Sequence, residues 1–280
     1  MTKMQAFAYQ PCQVSATSYR FDTNFVAQMH TVIIACFTKP HSNRANYLPV
    51  NPYLKPGVRM SLKLYFSPGA CSFVPHALLE MAGATFETQL VKLAAGEQKT
   101  PEYLALNPRG QVPVLVADGY PLTQVVAIVN YINDRFPEAN FLPKEPLAKA
   151  RALGVLAWMN NSAHTTFTHV FRPGNFAESE SSVAEVKGFM TAKYMTILRE
   201  LDAMAASAAP WIGGAHPGPL DLYATVLMRW GGFAGQDPTQ LTHLWAHAQK
   251  VAALPGVARA IERERLKLNV YTPPETAKAA

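Results

Sequence analysis

Cysteine is scarce in this chain: 280 residues carry Cys12, Cys36 and Cys71, with no C-x-x-C spacing. So small and odd a set argues against a disulfide framework or a zinc site and favours a reducing compartment. No apolar run approaches eighteen residues, so no membrane span is expected. The longest apolar piece near the start, 32–37, is too short and too far in for an ordinary secretory core. Acidic residues are almost absent from positions 1–59, which hold six Lys/Arg and one acid, Asp22. The other 221 residues carry 19 basic and 18 acidic groups, so the net charge of +6 belongs mainly to the N-terminal stretch. The remainder has no nucleic-acid footprint.

What is present is a globular composition, 49% hydrophobic and 16% charged. Residues 1–59 are rich in Asn, Gln, Thr and Pro and show no sustained period of 2 or 3.6. They are expected to lie outside the fold, as an upstream-start or disordered extension; a cationic targeting segment or a binding arm is the alternative. From Leu62 the pattern becomes regular. Strand signals at Leu62–Phe66, Phe86–Val91, Val114–Val116 and Tyr120–Leu122 alternate with helix signals at Ser72–Ala82, Pro101–Leu106 and Gln124–Phe136. Asp118-Gly119 marks a hairpin. Gly83 is a natural helix stop. The prolines of 138–146 suggest a semi-rigid linker. Beyond it the pattern is all-helical, with candidates at Leu147–Val170, Val183–Ala206, Leu220–Trp230, Leu241–Ala253 and Val257–Leu266, and a tail at 269–280.

Two phrases carry the chemistry. In Leu62-Lys63-Leu64-Tyr65-Phe66-Ser67-Pro68-Gly69-Ala70-Cys71-Ser72 a strand runs through a Pro-Gly turn to a cysteine at the mouth of a helix. There the exposed N–H groups and dipole would favour a thiolate. In Asn107-Pro108-Arg109-Gly110-Gln111-Val112-Pro113-Val114-Leu115, Val-Pro precedes a strand, where a cis peptide makes a tight turn and frees Val112's backbone to pair with an extended ligand. A lone cysteine is most often a small buried hydrophobe; the turn and helix start set Cys71 apart.

Both phrases resemble the glutathione transferase family, and specifically its bacterial beta class, over about Leu62 to Leu266. The resemblance implies an α/β plus all-α architecture: a thioredoxin-like glutathione-binding domain at 60–137, then a helical domain at 147–268. It further implies a cytoplasmic homodimer without a metal, using glutathione as co-substrate and acting on a small electrophilic or disulfide second substrate. Cys71 would meet the glutathione sulfur, for conjugation or for thiol–disulfide exchange, and His164 would face it across the cleft. Val112 would pair with the cysteinyl backbone, with Pro113 cis and Gln111 alongside. Tyr65, Ser72 and Lys99 complete the implied set, Ser72 either as helix cap or as donor to the ligand sulfur and Lys99 toward the glycyl carboxylate. The family's Glu-Ser, Glu-Gly or Gln-Ser pair at the third helix becomes Gln124-Val125, which loses a charge or a hydroxyl against the γ-glutamyl group; a backbone N–H anion site remains. That departure keeps open a second reading, a non-catalytic transferase-like protein-binding module. Near Trp211-Ile212-Gly213-Gly214, the family's Ser/Thr helix cap is replaced by Gly218, leaving Asp221 to do more of the capping or Gly218 to cap by its backbone. His243 and His247 read as structural.

Overall fold

The computed structural model describes residues 61–273. The expectations for residues 1–59, Cys12 and Cys36 among them, lie outside the described residues. The chain opens on β1 (Leu62–Phe66), whose Leu62, Leu64 and Phe66 are buried on alternate positions. It turns through Pro68-Gly69 into α1 (Phe73–Met81). Pro75 falls third in that helix, where its missing N–H costs no intrahelical bond. α1 ends in a Schellman arrangement: Gly83 N–H donates to Glu80 C=O at 3.2 Å and Ala84 N–H to Leu79 C=O at 3.0 Å, with Gly83 at φ +62°.

β2 (Glu87–Leu90) follows. All four of its residues are exposed, so the alternation at 86–91 marks an edge strand and not a half-buried one. α2 (Pro101–Leu106) starts at a proline and is capped by Thr100, whose side chain accepts from Tyr103 N–H. β3 (Val114–Ala117) and β4 (Tyr120–Thr123) form the hairpin expected around Asp118-Gly119, which both take positive φ, 52° and 86°. α3 (Val125–Arg135) buries Val125, Ile128, Val129 and Ile132 on one face. The sheet order is β2-β1-β3-β4, with β1 and β2 parallel and the other pairs antiparallel. This is the thioredoxin-like arrangement that the pattern predicts.

The rest is helical: α4 (Pro146–Trp158), α5 (His164–Phe171), α6 (Glu180–Ala206), α7 (Pro219–Phe233), α8 (Thr242–Ala252) and α9 (Pro255–Glu264). The single helix expected over 147–170 is interrupted by a π turn at Met159–Ala163. One extra residue per turn re-aims the side chains that follow, a distortion often found at functional sites. α7 is almost entirely buried and forms the axis of this region. Asp221 does the capping expected of it: Oδ2 accepts from Gly218 N–H and Oδ1 from Ile212 N–H, both at 2.8 Å. His247 Nε2 meets the same Oδ1 at 2.8 Å, so this histidine is structural. Gly218 itself leaves no room for the family's serine, because a Cβ there would stand 2.5 Å from Phe141 C=O. No helix among the described residues is long and apolar enough to cross a membrane.

Candidate active site

The Pro-Gly turn is the point where sheet and helices meet. Gly69 has φ +68°, and both of its backbone groups are engaged from the helical side. Its N–H donates to Glu264 Oε2 at 2.9 Å, and its C=O accepts from Trp230 Nε1–H at 2.8 Å. Glu264 Oε1 also meets His76 Nδ1 at 2.7 Å, both side chains being wholly buried. α7 and α9 thus hold the turn that delivers Cys71.

Beside this turn lies a cavity of about 1050 Å³. Of the sequence-predicted residues, Cys71, Gln111, Val112, Pro113, Gln124, Val125 and His164 line it. Tyr65, Ser72 and Lys99 do not. Tyr65 packs edge-on against Tyr103 at 5.9 Å in a separate small cluster, because strand alternation sends it away from the cavity face. Ser72 neither caps α1 nor reaches the cavity: wholly buried, its Oγ accepts from Ser67 N–H and donates to Ser67 C=O, both at 3.1 Å, bracing the turn. Lys99 is exposed, and Lys92 and Gln98 take the wall in its stead. Gln98 is buried and its Oε1 has no partner among the described residues.

The second phrase folds as the spacing predicts. The Val112-Pro113 peptide is cis. Gln111 C=O accepts from Asn107 Nδ2 at 2.7 Å and from Tyr103 Oη at 2.9 Å, which pins the loop. Gly110, at φ +60°, lies under Gln98 C=O, 2.9 Å from where a Cβ would stand. Gln124 sits at the head of α3 with φ 72° and ψ 122°, a sparsely populated conformation costing about 1–3 kcal/mol. Its side chain makes no cap, so the first N–H groups of α3 have no side-chain partner there. Val125 is 2% exposed and packs into the main core.

At Cys71, burial opposes the thiolate that the helix start favours. Its Sγ donates to Val112 C=O at 3.5 Å, and burial pushes the thiol up to about 12. The backbone N–H groups of Cys71 and Ser72 do favour the anion, as the helix start suggests, but desolvation outweighs them. A helix terminus is worth up to about 2 kcal/mol; raising a thiol from 9 to about 12 needs about 4 kcal/mol.

His164 Nδ1 lies 2.9 Å from Tyr223 Oη, which donates to Asn160 Oδ1 at 3.1 Å. Asn160 Nδ2 donates to Asn161 Oδ1 at 3.0 Å, which fixes the amide's orientation. A hydroxyl has one proton, so Tyr223 accepts from His164 Nδ1–H and Nε2 keeps its lone pair. Burial lowers the imidazole to about 4, so it is neutral at pH 7. Its ring packs on Trp230 at 4.7 Å, and Phe167 stacks on Trp230 at 4.7 Å and on Phe171 at 5.5 Å.

Sequence reasoning did not place Lys92, Gln98, Asn160, Asn161, Tyr223, Arg229 or Trp230 at the cavity or behind it. For Arg229 there was a signal: α7 carries only Asp221 and Arg229 as charged residues, and a cation in a buried helix needs a reason.

The Cys71 thiol, the cis-proline turn whose Val112 C=O it meets and the cavity beside them are thus brought together on a thioredoxin-like sheet. Residues 60–134 match the glutathione S-transferase N-terminal domain. A glutathione S-transferase from Xanthomonas campestris pv. campestris is 34% identical over 207 residues, 73% of this chain and all of that protein. Among solved structures, a sphingomonad glutathione S-transferase complexed with glutathione is 34% identical, with a TM-score of 0.64, over 73% of this chain and 100% of that one. A beta-class glutathione S-transferase from Sphingomonas chungbukensis is 31% identical, with a TM-score of 0.65, over the same shares. The chain belongs to the glutathione S-transferase family.

Proposed function

We propose that the protein is a glutathione transferase that conjugates glutathione to an electrophile, with Cys71 acting as a neutral S–H donor to the glutathione sulfur. The observation that carries this is the bond from Cys71 Sγ to Val112 C=O. The carbonyl it uses is the one an extended cysteinyl peptide would take. When that ligand pairs with Val112, the thiol proton loses its acceptor and turns to the incoming sulfur.

The rest of the wall supports the same ligand. The N–H groups at the head of α3 suit the γ-glutamyl carboxylate and Lys92 the glycyl carboxylate, while the unpartnered Oε1 of Gln98 suits a ligand N–H. The solved sphingomonad relative is complexed with glutathione, which agrees. In the reaction the glutathione thiol gives its proton to solvent. Its sulfur then forms a C–S bond with the electrophilic carbon, and the leaving group departs with its electron pair. His164, held near 4, is too weak a base to take a thiol proton. Its Nε2 stays a hydrogen-bond acceptor for an N–H or S–H of glutathione. Exchange through a Cys71 thiolate is disfavoured, since a thiol at about 12 is ionised to about one part in ten thousand at pH 8.

Retention on immobilised glutathione with elution by free glutathione tests the ligand. Titration of the bound glutathione thiol, followed by thiolate absorbance, tests the role of Cys71. Its pKa is expected to rise on Cys71→Ala. An unchanged value would remove Cys71 from the mechanism.

A further inference from the structure

Arg229 makes one hydrogen bond among the described residues, from Nε to Lys267 C=O at 2.8 Å. Among those residues its Nη1 and Nη2 meet no acceptor, although the side chain is half-buried and lines the cavity. The guanidinium lies over Gly69, where a Cβ would come within 2.5 Å of Nη1. A side chain at position 69 would therefore push it off the turn. Burial works against its charge, and the nearby negative charge of Glu264 works for it. Glu264 forms no ion pair with it; its two oxygens meet Gly69 N–H and His76 Nδ1.

The cavity wall carries three cations, Lys92, Arg172 and Arg229, and no carboxylate among the described residues. In a partly dry cleft such an imbalance favours an anion, and a guanidinium with two open N–H₂ groups suits a carboxylate held by both oxygens. One turn along α7 from Arg229 stands Phe233, 48% exposed, with the guanidinium carbon 5.5 Å from its ring. Phe171, 54% exposed, leans against Phe233 at 5.8 Å. A cation and two open aromatic faces thus share one end of the cavity.

We infer that Arg229 recognises the second substrate, and that this substrate is a flat, apolar electrophile bearing a carboxylate. The inference rests on the glutathione reading above, which leaves glutathione the Cys71, Val112 and α3 side. It assigns specificity, not chemistry, to Arg229.

The test uses two unreactive probes, dinitrobenzoate and its methyl ester, titrated calorimetrically into the full chain saturated with glutathione. The acid is expected to bind about tenfold more tightly than the ester, about 1.4 kcal/mol. Added salt should narrow the gap. Arg229→Gln should abolish the preference, and Arg229→Lys, which keeps the charge and loses the fork, should keep part of it. If Arg229→Gln does not fold, the wild-type acid/ester ratio and its salt dependence still decide. Equal binding of acid and ester with glutathione bound overturns the inference and leaves the transferase reading standing. A preference that exists only without glutathione also overturns it, because Arg229 would then serve glutathione's own carboxylate. If the chain binds no glutathione yet prefers the acid, the transferase reading falls and the anion site stands.

Discussion

Cys71 decides whether the helix N-terminus or burial governs the site, and alkylation separates them. A free thiol near 8.5 is about one quarter ionised at pH 8. A thiol pushed up to about 12 is ionised to about one part in ten thousand. Because only the thiolate attacks, Cys71 should react with iodoacetamide about three orders of magnitude more slowly than free cysteine at pH 8. Its rate should still be climbing at pH 10. Peptide mapping isolates its signal from Cys12 and Cys36. The same shift has a stability signature. The folded state holds the proton more tightly than the unfolded chain, so the contribution is whole below about pH 9. It is lost as pH rises toward 12, by about 4 kcal/mol in full. Cys71→Ala should lack that alkaline loss. Labelling at pH 8 within about tenfold of free cysteine would refute the reasoning and return the site to the helix dipole.

The half-buried, neutral His164 works in the opposite direction. Its folded value is below the unfolded one, so stability is whole above about pH 6.5 and falls toward pH 4, by about 3 kcal/mol. Chemical denaturation across that window should show a steeper loss in wild type than in His164→Gln, and equal slopes would count against the neutral imidazole. Gly218→Ser should lower the melting temperature, because the clash with Phe141 C=O costs about 1–3 kcal/mol and exceeds the roughly 1 kcal/mol a serine cap offers. A rise would show that the loop at Phe141 yields. Val125→Ser should cost about 1–2 kcal/mol of stability, since Val125 packs in the core. It should also tighten glutathione about tenfold if the hydroxyl meets the γ-glutamyl carboxylate. Calorimetry showing unchanged affinity would place that carboxylate elsewhere.

By itself the sequence determined what depends on neighbours along the chain. The strands and helices from 62 onward followed from periodicity, the hairpin from Asp118-Gly119, and the start of α2 from Pro101. The two phrases around Cys71 and Val112 were legible because turn chemistry is local: a Pro-Gly turn and a Val-Pro peptide. Tertiary structure alone decided what depends on distance through space. Whether Cys71 is a thiolate turns on how much water reaches it, and that is set by α7 and α9 closing over the Pro-Gly turn. Strand phase sent Tyr65 to the other cluster, and turn packing spent Ser72 on Ser67. The π turn re-aimed Asn160, Asn161 and His164, which no run of helical spacing announces. Arg229 and Gly69 are 160 positions apart in the chain; only the fold lays a guanidinium on a glycine at the cavity wall.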